Sequence, residues 1–84
     1  MAIIDQSTTL KSIKDLGAAI RSARKAVHLR QAETALLCGV GVRFLSDLEN
    51  GKDTVRLGTA LKVLSGLGLA LSIGARQPSW KANG

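Results

Sequence analysis

Side chains able to donate or accept hydrogen bonds are dense between Gly39 and Lys52, GVGVRFLSDLENGK, where Arg43, Ser46, Asp47, Glu49, Asn50 and Lys52 follow a glycine-containing turn. A guanidinium offers a planar fork of donors, a carboxylate accepts, and amide and ammonium groups donate to anionic oxygens. This is the chemistry of recognition. His28 has no second histidine and Cys38 is a lone cysteine, so neither has a partner at metal-ligand spacing. No Ser-His-Asp set, Gly-Lys phosphate loop or paired-carboxylate pattern is present. We expect no enzyme activity, no metal and no cofactor, with His28 and Cys38 structural.

The composition points the same way. A chain of 84 residues holds one small domain with a modest core. Twelve Lys and Arg against six Asp and Glu, a formal charge of +6, favour a polyanionic partner, nucleic acid first; a basic protein without such a partner stays open. Phe44 and Trp80 are the only aromatic residues, too few for base-stacking platforms, which favours a duplex over single strands. One cysteine ties the chain to no oxidising compartment, and the N-terminus lacks a basic start and a long apolar core, so a cytoplasmic setting is expected. No apolar run approaches the length of a bilayer.

The elements that must position these groups are legible as periodicities. Residues 1–11 show no sustained period and read as a mobile arm. Ser12 followed by Asp15 forms a capping-box signal, after which Ile13, Leu16, Ile20, Ala23 and Val27 recur at spacings of three and four. A first helix is expected from about Ile13 to Val27, a second from about Gln31 to Leu37 and a third from about Val42 to Asn50, stopped by Gly51. The third should turn Val42, Leu45, Leu48 and Glu49 toward the body. Two short helices about the turn Cys38-Gly39-Val40-Gly41 make a module whose second helix can enter a DNA groove. A further helix should face the core with Leu57, Leu61, Leu64 and Leu67, broadened by Ala60 and Val63. Beyond Gly66 and Gly68, Leu69, Leu71 and Ile73 alternate with Ala70, Ser72 and Gly74, the period of a strand. A lone strand leaves its amides unpaired, so pairing with the same strand of a second copy is expected. The alternative is a continued helix or a tail. Residues 76–84 read as a flexible tail.

Residues Leu16 to Leu67 resemble the helix-turn-helix of the Xre/Cro-type regulators, through LGxxIRxxR at Leu16 to Arg24, Gln31 and Ala35, Gly39-Val40, and LExGK at Leu48 to Lys52. The resemblance implies a mainly α, lambda-repressor-like domain of four to five helices; with the periodicities above, this gives a helix-turn-helix domain over 12–68 and a dimerisation strand over 69–75. It also implies roles for residues. Arg24 and Glu49 match a structural ion pair between the first helix and the end of the recognition helix, although Arg24 contacting phosphate is an alternative. Gly41, Val42, Arg43 and Asp47 match base-contacting positions. Arg43 can fork onto guanine O6 and N7, Val42 can touch a thymine methyl and Asp47 can accept from cytosine N4. Arg30, Gln31, Ser46, Asn50, Lys52 and Arg56 are candidates for phosphate contacts, which supply affinity with little sequence information. Arg30 stands where the family usually has Ser or Thr, Gly41 where it usually has a hydroxyl cap, and Thr34 where it often has Leu.

Thr54 to Ile73, TVRLGTALKVLSGLGLALSI, is most similar to the end of HipB-type antitoxins. That subgroup implies a homodimer through Leu69, Leu71 and Ile73, an operator as the DNA and a HipA-type serine/threonine kinase toxin as partner. The expected function is thus a sequence-specific repressor, the antitoxin of its own operon. A stand-alone regulator without a toxin and an interaction adaptor are the alternatives. Trp80 resembles a C-terminal Trp of such antitoxins and is a candidate partner contact.

Overall fold

The computed structural model describes residues 9–75 and Trp80, and these residues form four α-helices. These are α1 (Ile13–Ala26), α2 (Gln31–Cys38), α3 (Val42–Glu49) and α4 (Leu57–Gly66). The mainly α helix-turn-helix expectation therefore stands. Most of the expected arm and tail lies outside the described residues.

Local chemistry sets the helix ends. Ser12 Oγ accepts from the Asp15 amide at 3.4 Å, while Asp15 Oδ2 accepts from the Lys11 amide at 2.8 Å. At the start of α2, the N-cap residue Arg30 accepts nothing through its side chain; Glu33 Oε1 instead accepts from the Arg30 amide at 2.8 Å and from its Nε at 3.3 Å. All four C-termini close with an amide reaching back five residues: Leu29 to Arg24, Val40 to Ala35, Lys52 to Asp47 and Leu69 to Leu64. That closure needs a left-handed residue just beyond the helix. Gly39, Gly51 and Gly68 serve it at φ 70, 76 and 73°, and His28 at φ 60° in the one case without glycine.

The core joins Leu16 and Ile20 of α1, Ala35 of α2, Leu45 and Leu48 of α3, and Ala60, Val63 and Leu64 of α4. Phe44 is half-buried and packs on this cluster. Helix α1 meets α3 at Gly17, whose absent side chain is a requirement: a Cβ there would overlap Leu48 O and lie 2.7 Å from Glu49 O. At Gly66, likewise, a Cβ would overlap Cys38 Sγ, where α4 lies against α2.

Three expectations about faces need correction. Leu57 and Leu61 do not enter the core; they are 61% and 44% exposed, because Ala60, Val63, Leu64 and Leu67 already fill the inward stripe of α4. Val42 and Val27 are exposed rather than turned inward, the first at the opening of α3 and the second just past the end of α1. Residues 69–75 form no strand. Leu69 closes α4 through its amide, whereas Leu71 and Ile73 project into solvent, since one chain supplies no second strand to accept a ladder.

Candidate nucleic-acid interface

The arrangement around α3 is built from its buried end outward. Arg24 of α1 donates from Nε to Glu49 Oε2 at 2.7 Å and from Nη2 to Glu49 Oε1 at 2.9 Å, a bidentate pair. Its Nη1 donates to Leu29 O at 2.7 Å, so one guanidinium ties α1, the α1–α2 turn and the C-terminus of α3 together. The two side chains are only 9% and 2% exposed. Burial by itself pushes the Glu49 carboxyl up. Hydrogen bonds from Arg24 and Gln31, with the positive charges of Arg24 and Arg21, outweigh that and hold it below the usual carboxylate range. The hydrogen bond to Glu49 holds the Arg24 guanidinium above its ordinary value despite burial.

Gln31, first residue of α2, donates from Nε2 to Glu49 Oε1 at 3.1 Å. This bond was not foreseen in the sequence, where Gln31 reads only as a phosphate contact. It commits one amide proton to the α3 terminus. Neither the second amide proton of Gln31 nor its backbone amide has a partner among the described residues.

At its opposite end α3 begins after Gly41, with Gly41, Val42 and Arg43 all exposed and no heavy atom near the Gly41 Cα face. Arg43 and Asp47 are one turn apart and so share a helix face. Asp47 is half-buried, and its Oδ2 lies 3.6 Å from Lys52 Nζ, so the two charges offered as base acceptor and phosphate donor face each other. Ser46 is half-buried, while Asn50, Lys52 and Arg56 are exposed, Arg56 as the N-cap of α4. Arg30 is exposed and paired with Glu33, whose carboxyl is held down chiefly by the Arg30 amide. The place of Glu33, three residues after the helix start, is the sequence signal for such a cap.

The fold thus gathers the base and phosphate candidates around α3 and the starts of α2 and α4. It leaves Leu69, Leu71 and Ile73 beyond the end of α4. Cys38 is half-buried with its thiol pushed up by burial, a packing environment rather than a reactive one. Among the described residues no cluster could hold a metal ion, and no helix is long and apolar enough to cross a membrane.

Residues 20–73 match the family model described as HTH_3, helix-turn-helix. The chain is 47% identical over 64 residues to an uncharacterized HTH-type transcriptional regulator, y4mF, of Sinorhizobium fredii (strain NBRC 101917 / NGR234), covering 76% of this chain and 84% of that one. It is 49% identical over 39 residues to the ImmF control region 10 kDa protein of Bacillus phage phi105, covering 46% of this chain and 43% of the other. Among solved structures it is similar to a HipB–O4 20mer complex, with a TM-score of 0.76, 25% identity and coverage of 84% of this chain and all of that one. A HipA–HipB–O2–O3 complex aligns with the same TM-score of 0.76 and 25% identity, again over 84% of this chain and all of the matched one.

Proposed function

The chain belongs to the HTH_3 helix-turn-helix family of Xre-type transcriptional regulators, and on that premise we propose that it is a homodimeric repressor of its own operon and the antitoxin to a kinase toxin. The family is one of DNA-binding regulators and not of enzymes. The observation that supports the reading best is the Arg24–Glu49 clamp: it holds the far end of α3 rigidly while Val42 and Arg43 stand exposed at the near end.

In this reading Arg43, with Val42, Asp47 and the backbone of Gly41, faces base edges, and Arg30, Gln31, Ser46, Asn50, Lys52 and Arg56 face phosphates. Residues 12–68 form the DNA-binding unit and residues 69–75 the dimerisation segment, so that two recognition helices reach half-sites about one helical turn apart. Similarity to HipB in complexes with O-site DNA and with HipA supports an operator and a HipA-type serine/threonine kinase as partners. The proposed setting is the cytoplasm. The second reading is a stand-alone regulator of the same family, which the similarity to an HTH-type transcriptional regulator supports equally.

Footprinting on DNA upstream of the gene, with and without the product of the adjacent gene, tests both. A protected pseudo-palindrome whose protection changes with that product supports the antitoxin. Protection indifferent to it supports the stand-alone regulator. No protection, with salt-insensitive or absent duplex binding, leaves an adaptor.

A further inference from the structure

Helix α1 crosses the C-terminal end of α3 at Gly17, and neither of the cations on the two sides of that crossing is among the DNA-contact candidates above. Lys14 lies one turn before Gly17. Its backbone and stem pack on Gly51, the residue that ends α3, so closely that a Cβ on Gly51 would lie 2.6 Å from Lys14 Cγ and 2.8 Å from Lys14 Cα. Arg21 lies one turn after Gly17, and its charge acts on the Glu49 carboxylate. Both side chains are exposed, and neither has an ion-pair partner among the described residues. The Glu49 carboxylate on which that charge acts is already satisfied by Arg24 and Gln31.

We propose that Lys14 and Arg21 form a second phosphate grip, binding the phosphodiester backbone beside the Asn50–Lys52 turn and widening the DNA footprint onto α1. The proposal rests on the DNA-binding reading above. Its geometry is a bracket: two cations seven residues apart are two turns apart on one helix face, with the α3 terminus seated between them. Gly17 and Gly51 bring that face close to Asn50 and Lys52, because neither has a side chain to hold α1 away. Unpaired cations beside a turn that already presents an ammonium and an amide suit a run of phosphates, not a single base edge. Contacts of this kind carry affinity without sequence preference.

The test is the salt dependence of duplex binding by the whole protein, using the DNA upstream of the gene and an unrelated duplex of equal length. The variants are Lys14→Gln with Arg21→Gln, the conservative Lys14→Arg with Arg21→Lys, and Lys62→Gln as a surface-charge control on α4. The expected result is a slope of log K against log salt shallower by about 1 per cation per protomer in the Gln variant, on both duplexes alike. The conservative variant should keep the wild-type slope, and so should Lys62→Gln. A wild-type slope in the Gln variant overturns the proposal while leaving the DNA reading intact. An equal change per charge in Lys62→Gln overturns it as well, since net charge alone would then explain the effect. Wild-type protein that binds neither duplex at low salt sinks the DNA reading and this grip with it.

Discussion

Arg24 and Glu49, 25 residues apart in sequence, face each other through two parallel hydrogen bonds of 2.7 and 2.9 Å at the junction of α1 and α3. Their near-complete burial makes the pair a clamp on the angle between those helices, and Gln31 extends it to α2 through the same carboxylate. A buried pair adds little net stability compared with an apolar one, but removing one partner strands the other charge.

Arg24→Ala is therefore expected to destabilise the domain by about 3–5 kcal/mol, read from denaturant unfolding, before it alters base preference. Unchanged stability with altered base choice would instead make Arg24 a DNA contact. The pH dependence has a definite sign. Glu49 is held below its ordinary value of 4.5, so its stabilisation is full above that value and is lost as pH falls through the lower folded value. Glu49→Gln should flatten this acid limb.

Replacing Arg43 with Ala should relax discrimination at one operator position by about 1–3 kcal/mol, while binding to unrelated duplex weakens far less. Competition binding against operator variants measures this. A uniform loss on all sequences would make Arg43 a phosphate contact.

Gly17→Ala places a methyl group into the Leu48 and Glu49 carbonyls, and backbone cannot yield as a side-chain tip can. The expected loss is about 1–3 kcal/mol, despite the better helix propensity of alanine. Thermal unfolding at matched concentration reads it, and a neutral result would mean that α1 and α3 separate without loss.

Thr34 is fully buried on α2, and its Oγ1 has no hydrogen-bond partner among the described residues. Thr34→Val keeps the shape and removes the unpaired hydroxyl, so stability should rise by about 1 kcal/mol. A decrease in denaturation midpoint would count against this account of the site.

Proline at Leu71 removes a backbone donor from the segment expected to pair between two copies. Sedimentation should show the dimer weakened, with the helical content of the monomer kept. An unchanged profile would place the dimer contact elsewhere, and the exposed flank of Leu57 and Leu61 would be the next candidate.

Four helices, their order and the turn about Gly39 were legible in the chain, with ends within one residue of those observed for the first three. Caps and stops are local chemistry: Ser12 with Asp15, and glycine at 39, 51 and 68, act within a few residues of themselves. The exception is His28, a left-handed stop that carries no glycine signal. The pairing of Arg24 with Glu49 was expected only because the segments resemble a known family, since no periodicity links residues so far apart.

By itself, then, the sequence determined which segments are helical and which helix could enter a groove, because periodicity and capping are read from neighbours. Tertiary structure alone decided that Leu57 and Leu61 stay outside the core, that Gln31 is tied to Glu49, and that Asp47 faces Lys52. Those outcomes depend on how the helices cross. The crossing is set by side chains that are absent, at Gly17 and Gly66, and such gaps acquire meaning only when another helix fills them.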